Sequence, residues 1–310
     1  MKLLVCESPL TDPHYNLALE ETLLARAEDA VILYLWQNQN TVVIGRNQNP
    51  WKECRTALLQ QEGGHLARRL SGGGAVFHDL GNLNFTFLMP QPLYDLEKQL
   101  AVIQRAVRSF GIEAERSGRN DILARGRKFS GNAFYKNGKA AYHHGTILIG
   151  ADLDRLSRYL NPSKAKLAAK GVDSVRSRVG NLRELKPGLS IGDMKAALTA
   201  AFAEIYGGAV EKLEVTPDPA LAERYGSWEW NFGQRLPFSF EWEERLDFGC
   251  VRIEAEVENG IIRSAKVFSD AMDWQLPERL EAALIGSRLD GAELIKKAPE
   301  FTGVFQRMEL

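Results

Sequence analysis

The period of the hydrophobic positions changes several times along this chain. Leu3 to Cys6 is an apolar run of strand length, and Asp12-Pro13 supplies an N-cap and a first-turn proline for a helix to about Ala27, with Leu17, Leu23 and Leu24 facing a sheet. Val31 to Trp36 and Thr41 to Gly45 are rich in β-branched and aromatic residues, and Gln37-Asn38-Gln39-Asn40 has turn composition, so the two runs are expected to form a hairpin. A helix is expected from Pro50 to Gln61, stopped by Gly63-Gly64, then strands over Ala75 to His78 and Leu83 to Leu88, and a helix from Asp95 to Phe110 ending at Gly111. Ile122 to Ile149 reads as strand, Gly-Asn break, Asn137-Gly138 hairpin turn and strand. Ile191 to Tyr206 has helical amphipathic spacing. After Arg245 the pattern restarts with strands Val251 to Val257 and Ile262 to Phe268 joined at Asn259-Gly260, and a helix from Leu276 to Leu289. Strands and helices mixed without a βαβ rhythm imply an α+β fold, with a large domain over residues 1–245 and a small one over 246–310.

Composition narrows this picture. At 310 residues and 45% hydrophobic content the chain can bury one large core and a small second one. Its 39 Lys+Arg nearly balance 40 Asp+Glu, so no overall field favours nucleic acid or an anionic membrane, and any electrostatic preference must be local. The N-terminal apolar run is too short for a signal peptide, and no stretch approaches a membrane span, so a soluble cytoplasmic protein is expected. Cys6, Cys54 and Cys250 are odd in number and lack metal-ligand spacing, which argues against disulfides and zinc.

Candidate chemistry concentrates in three segments. Arg68-Arg69-Leu70-Ser71-Gly72-Gly73-Gly74-Ala75-Val76-Phe77-His78-Asp79 opens a strand with three glycines, whose backbone can approach a ligand closely and whose N–H groups can converge on anionic oxygens. The two arginines set positive charge beside it, suited to phosphate. It is neither a P-loop, which ends Gly-Lys-Ser/Thr, nor a dinucleotide fingerprint, which opens a helix. Taken alone, it is also ordinary turn punctuation with surface arginines. Asn120-Asp121-Ile122 and Gly126-Arg127-Lys128-Phe129-Ser130-Gly131 place a lysine able to bridge a carboxylate and an α-phosphate near an aspartate suited to Mg2+, although each side chain by itself reads as solvated surface. In Tyr142-His143-His144-Gly145-Thr146, adjacent strand residues point to opposite faces, so one histidine can face a site and His143 has at least an equal claim to a structural role.

Together these motifs, with Leu35-Trp-Gln-Asn-Gln, Val42-Val-Ile-Gly-Arg-Asn and Ser227-Trp-Glu-Trp-Asn-Phe-Gly, strongly resemble the lipoate-protein ligase A family over nearly the whole chain. The resemblance implies a mixed-sheet catalytic domain related to biotin ligases, a small C-terminal accessory domain, and an enzyme that converts lipoate and ATP to lipoyl-AMP and pyrophosphate, then acylates a lysine. It implies Lys128 as the catalytic residue, contacting the lipoate carboxylate and the α-phosphate. Arg69 and the backbone of Gly74, Ala75, Val76 and Phe77 would hold the adenylate. Ser71, His78 and His144 would join Arg69 and Lys128 around lipoate, and Asp121 would approach Mg2+. The implied acceptors are lipoyl domains of oxoacid dehydrogenases and the H-protein of glycine cleavage; separately, a monomer is expected because no heptad or exposed apolar helix stands out in the sequence. Alternatives of related fold are a transferase using preformed lipoyl-AMP and an ATP-independent octanoyl or lipoyl transferase. The latter needs a site thiol, and no cysteine lies between the glycine motif and His144.

Residues 163–180 carry five basic residues and one acid without a sustained apolar face. The run Lys164 to Arg178 can meet acidic acceptor domains, although composition alone favours an ordinary solvated loop. Reversing Lys164, Lys166 and Lys170 to Glu is expected to raise the acceptor KM and flatten its salt dependence while sparing adenylation. An unchanged acceptor KM removes the docking role.

Overall fold

A computed structural model describes residues 1–118, 120–160, 179–233, 238–269, 271, 273, 275–308 and 310; Arg119 and the basic run Lys164 to Arg178 lie outside them. In chain order the strands are β1 (Lys2–Glu7), β2 (Ala30–Trp36), β3 (Thr41–Ile44), β4 (His65–Arg68), β5 (Val76–His78), β6 (Asn82–Pro90), β7 (Glu115–Ser117), β8 (Asp121–Ala124), β9 (Arg127–Lys136), β10 (Ala140–Leu148), β11 (Val210–Lys212), β12 (Phe238–Leu246), β13 (Gly249–Glu258) and β14 (Ile261–Ser269). A mixed eight-stranded sheet has the order β11-β1-β2-β6-β10-β9-β8-β7, and two three-stranded sheets have the orders β4-β3-β5 and β12-β13-β14. The architecture is α+β, as the mixed periodicities imply.

Both faces of the large sheet are covered. Val31, Leu33 and Leu35 of β2 and Leu83, Phe85, Phe87 and Met89 of β6 join the core beneath helices Leu96–Arg108 and Ile191–Tyr206. Ile32, Tyr34 and Trp36 point the other way, toward helix Pro13–Arg26. Fully burying one such side chain contributes about 1.5–3 kcal/mol, so these two layers dominate the stability. Asp12 caps helix Pro13–Arg26 through the Tyr15 N–H at 2.7 Å, as its sequence signature implies. On β6 the second face carries Asn82, Asn84 and Thr86, all buried. That buried polar row forms one wall of the site.

The hairpin expected between Val31 to Trp36 and Thr41 to Gly45 does not form. β2 enters the large sheet, whereas β3 pairs in parallel with β4 and antiparallel with β5. All residues of both strands are buried, so each requires its own partners on both edges. The linker is held elsewhere: Asn16 Nδ2 donates to Gln37 O and Asn38 Oδ1, and the Gln39 N–H donates to Thr11 O. Three smaller expectations also change. The helix over 50–61 divides where Cys54 bridges to Leu160, β9 crosses Gly131-Asn132 unbroken with the irregularity taken up at Ile122/Leu123, and helix Leu276–Leu284 stops before Gly286.

The C-terminal sheet packs on helices Leu276–Leu284 and Gly291–Lys297 around Val251, Ile253, Ile262, Leu280 and Phe305. Its first strand, Phe238–Leu246, precedes the expected boundary after residue 245, and its alternating Phe-Ser-Phe-Glu-Trp-Glu pattern matches a half-buried strand.

Arg68, at the end of β4, is fully buried. Its guanidinium donates to the carbonyls of Gly45, Arg46, Gln48, Trp230 and Asn231 at 2.7 to 3.2 Å. Burial lowers its pKa to about 10, which still leaves it charged at neutral pH. Arg68→Met is expected to cost about 3 kcal/mol, because several buried carbonyls lose their donor. Calorimetry would then show a melting temperature lower by several degrees, and Arg68→Lys, unable to span the same acceptors, would not restore it.

Candidate active site

The glycine segment after β4 is shaped by Arg69, which points away from Arg68 as strand neighbours must. Arg69 Nε donates to Ser71 Oγ at 3.0 Å, Nη1 to Val43 O at 3.2 Å, and Nη2 to Gly72 O and Gly74 O, both at 2.8 Å. These bonds wrap the loop around the guanidinium. Gly73 has φ +94, a left-handed conformation that disfavours other residues, and a Cβ on the facing Gly45 would lie 2.2 Å from Gly73 O. Burial lowers the Arg69 pKa to about 10, with Tyr142 and Glu20 opposing, so it too stays charged.

From Ser71 a hydrogen-bond chain runs under the loop. Ser71 Oγ lies 2.8 Å from His144 Nε2, and His144 Nδ1 lies 2.9 Å from Glu20 Oε1, which also accepts from Thr86 Oγ1 at 2.7 Å. Trp36 Nε1 donates to Thr86 Oγ1 at 3.0 Å. With its proton on Nδ1, His144 donates to the carboxylate and accepts from the serine hydroxyl. His143 turns to the opposite face among Phe85, Phe87 and Phe134, and its Nε2 lies 2.8 Å from Asn132 Oδ1.

A cavity of about 410 Å³ opens between the loop and the β6-β10-β9 surface. Arg69, Gly74, Ala75, Val76, His78, Asp121, Lys128 and His144 all line it. Among the anticipated residues, Ser71 lies behind the wall as the link between Arg69 and His144. The Phe77 side chain packs 5.3 Å from the Tyr159 ring, while its backbone pairs with Val42. Val43 lines the cavity, whereas Phe85 fills the core beneath Gly145, where a Cβ would meet its ring at 2.7 Å. Leu17, Trp36, Asn84 and Thr146 also line the wall, and Glu20 holds it from behind. Sequence reasoning named none of these last residues as site residues. Their available signal was Asn82-x-Asn84-x-Thr86 alternating with large apolar residues, on a strand buried on both faces.

At the cavity's cationic end Lys128 Nζ pairs with Asp121 Oδ1 at 2.7 Å. Both side chains are more than a third exposed, so the pair is worth at most about 1 kcal/mol and an anionic ligand can replace it cheaply. The backbone of Lys128 is fixed more firmly: the Gly180 N–H donates to its carbonyl at 2.9 Å. Among the described residues no group of three or more His, Cys, Asp or Glu could hold a metal by protein ligands alone. An isolated carboxylate such as Asp121 does suit Mg2+ that takes its other oxygens from phosphate and water.

This fold, with a cavity that has Lys128 at one end and the glycine loop beside it, is placed by comparison with known proteins. The lipoyl protein ligase A/B catalytic domain matches residues 12–203, and the bacterial lipoate protein ligase C-terminus matches residues 236–309. The chain belongs to the lipoate-protein ligase A family. It is similar to P. falciparum LipL1 solved in complex with lipoate, at 29% identity over 98% of this chain and 99% of that one, with a TM-score of 0.67. It also resembles the bi-partite lipoate protein ligase from Thermoplasma acidophilum, described with its E2 lipoyl domain, at 29% identity over 75% of this chain and 96% of that one, TM-score 0.64. A lipoate-protein ligase A bound with ATP matches at 28% identity over 75% of this chain and 98% of that one, TM-score 0.63.

Two buried histidines, His78 in the cavity wall and His143 in the core behind it, carry a stability signature. Burial, helped by Arg69 and His144, pushes His78 down to about 3, and burial with His144 does the same to His143. Folding therefore keeps both neutral, while the unfolded chain protonates them below about 6.5, so stability falls as pH drops from 6.5 toward 3. Between pH 6.5 and 5 each is expected to contribute about 2 kcal/mol of loss. Denaturant titrations at pH 7 and pH 5 should show a smaller pH dependence in His143→Asn and in His78→Gln.

Proposed function

We propose that this protein is an ATP-dependent lipoate-protein ligase, which forms lipoyl-AMP and pyrophosphate from lipoate and ATP and then transfers the lipoyl group to a lysine of an acceptor domain. The observation that carries this reading is the convergence on one cavity of Lys128 with the loop that Arg69 organises. The ATP-bound, lipoate-bound and lipoyl-domain relatives support it.

In the first half-reaction a lipoate carboxylate oxygen attacks the α-phosphorus of ATP. The bond from that phosphorus to the bridging oxygen breaks, and pyrophosphate leaves with the electron pair. Such a step needs positioning and charge neutralisation rather than a protein nucleophile. Lys128 leaves Asp121 to contact the lipoate carboxylate and the α-phosphate, and the released Asp121 is free to face Mg2+, which supplies charge neutralisation on the phosphates. The backbone from Gly74 to Phe77 lies beside the adenylate, with Arg69 keeping the loop in shape. The apolar walls from Leu17, Trp36, Val43 and Ala133 suit the acyl chain and its dithiolane. In the second half-reaction a neutral lysine amine attacks the acyl carbon, the bond from that carbon to the AMP phosphate oxygen breaks, AMP leaves with the electron pair, and the nitrogen gives up a proton to solvent as the amide forms.

The acceptors are lipoyl domains of oxoacid dehydrogenases or the glycine cleavage H-protein, a class consistent with the T. acidophilum relative and its E2 lipoyl domain. No helix among the described residues is long and apolar enough to cross a membrane. A cytoplasmic monomer is the corresponding proposal for the cell. A thioester route has no support in the site: burial pushes Cys6 up to about 11 and Cys54 up to about 12, and neither they nor Cys250 line the cavity.

Lys128→Ala is expected to lower both pyrophosphate release and acceptor lipoylation by about 10³-fold, the loss typical of removing one preorganised charge-stabilising donor. Pyrophosphate assay and acceptor mass, with lipoate, ATP and Mg2+, check both halves. Wild-type rates in either half would remove Lys128 from its assigned role, and wild-type protein that lipoylates only from synthetic lipoyl-AMP would replace the ligase by a transferase.

A further inference from the structure

Two buried donors in the cavity wall, Asn84 Nδ2 and His78 Nε2, have no protein partner among the described residues. Each is oriented from behind. Tyr34 Oη donates to Asn16 Oδ1 at 3.1 Å, Asn16 Nδ2 donates to Asn38 Oδ1 at 2.9 Å, and Asn38 Nδ2 stands 3.3 Å from His78 Nδ1. Nδ1 therefore accepts, and the neutral ring carries its proton on Nε2. Asn82 Nδ2 donates to Asn84 Oδ1 at 3.0 Å, which leaves the Asn84 amino group as the unsatisfied end. Native structures leave few buried donors unpaired, so two in one cavity wall point to a ligand that brings acceptors there.

Strand register places both donors away from the lysine. Lys128 Nζ lies 2.9 Å from where a Gly131 Cβ would stand, and the Gly131 N–H donates to Thr146 Oγ1 at 3.2 Å. Thr146 on β10 lies directly opposite Asn84 on β6, which lies opposite Trp36 on β2. The row thus runs from Lys128 and Gly131 past Thr146 and Asn84 to Trp36, where the His78 ring meets the indole edge-on at 6.2 Å. Exposure falls along the same direction. The Lys128 and Asp121 side chains are 34% and 41% exposed, whereas Leu17, Trp36, His78 and Asn84 are at most 3% exposed. The cavity therefore passes from an open cationic mouth to a closed end, in which two apolar residues stand beside two unpaired N–H groups.

The length of the bound acid decides what reaches that end. Neighbouring strands lie about 4.8 Å apart, so Asn84 is about 10 Å from Gly131 and Trp36 about 14 Å. With its carboxylate beside Lys128, an acid whose ring follows a four-methylene chain carries its ring sulfurs about 7 to 9 Å inward, at about 1.2 Å per bond. We infer that Asn84 and His78 are a pair of neutral donors for the sulfurs of the dithiolane ring, by which this site tells lipoate from a plain fatty acid of the same length. This rests on the lipoate-ligase reading above and adds a selectivity to it. Sulfur is a weak acceptor, so the discrimination comes less from the bonds gained than from what a saturated tail fails to replace. Such a tail strips water from both donors and offers no acceptor, the situation in which a polar site rejects an analogue. Burial pushes His78 down to about 3, so it stays a neutral donor throughout the neutral range.

The experiment is calorimetric titration of the full-length protein with lipoate, octanoate and the cyclopentyl analogue of lipoate, in which both ring sulfurs are methylenes. A purely apolar pocket would bind the more hydrophobic cyclopentyl acid at least as well as lipoate. Wild-type protein is instead expected to bind it, and octanoate, about fivefold to tenfold more weakly. Asn84→Leu keeps the volume and removes the N–H. It is expected to weaken lipoate and to tighten the cyclopentyl acid, so that the two Kd values converge or cross, and His78→Phe should act in the same direction. A general loss of pocket shape would weaken all three acids together. Melting curves report any loss of fold, and the ligand series on wild-type protein decides without either variant. Wild-type binding of the cyclopentyl acid as tight as that of lipoate, or an unchanged ratio of the two in both folded variants, would overturn this inference alone. Wild-type protein that binds none of the three acids would overturn the ligase reading as well.

Discussion

Two adjacent buried guanidiniums hold the catalytic half of the molecule in shape. Arg68 and Arg69 both end their hydrogen bonds mainly on backbone carbonyls, with no carboxylate partner among the bonds described. Burying a cation is expensive, and their pKa values fall to about 10 for that reason, yet both remain charged at neutral pH. The compensation is the number of charge-assisted bonds, each stronger than a neutral one. Because neighbouring strand residues face opposite ways, one arginine locks the strand to distant chain and the other curls the glycine loop. A carboxylate partner would neutralise Arg69, and the positive field beside the cavity would be lost with it.

The cavity behind that loop combines a rigid side and a yielding side. On the rigid side, Ser71, His144, Glu20, Thr86 and Trp36 form a continuous hydrogen-bonded chain in which nearly every group is buried, so displacing one leaves its neighbours unsatisfied. On the yielding side, Lys128 and Asp121 form a partly exposed pair that holds the ammonium in place yet costs little to open. On the proposed reading, recognition of an apolar acyl chain and capture of its charged end would belong to different physical regimes within one pocket.

Much of this was legible in the sequence, and the failures have identifiable causes. The helices over 13–26, 96–108 and 191–206 were readable because caps and apolar spacing agree, and the turns at Asn137-Gly138 and Asn259-Gly260 because left-handed backbone favours those residues. The β2/β3 hairpin failed because local turn composition at 37–40 competed with tertiary capture of Asn38 and Gln39. β4, β7 and β11 span only three or four residues, too few for a period to show. Arg69, Lys128 and Asp121 were found through motif chemistry and His78 and His144 through the family resemblance, and the structure brings all five to one cavity. Glu20 was hidden because a glutamate inside an amphipathic helix reads as surface, and Asn84 because polar alternation on a strand reads as solvent-facing.

The segment Ser227-Trp-Glu-Trp-Asn-Phe-Gly shows how one short motif serves two neighbours. Trp230 and Asn231 accept from Arg68, and Trp230 Nε1 donates back to Arg68 O at 2.9 Å. Trp228 and Glu229 face the C-terminal module instead: the Arg288 guanidinium lies 4.7 Å over the Trp228 ring and pairs with Glu229. Trp51 continues the seam between Phe232 at 5.6 Å and Phe238 at 5.4 Å. The two sides differ in strength. Aromatic contacts contribute about 0.5–1.5 kcal/mol each beyond burial and the exposed ion pair little more, whereas Arg68 is enclosed by charge-assisted bonds with no water to replace them. Any force separating the C-terminal module from the catalytic domain would therefore part the aromatic seam first, leaving the motif clamped to the strand that feeds the glycine loop.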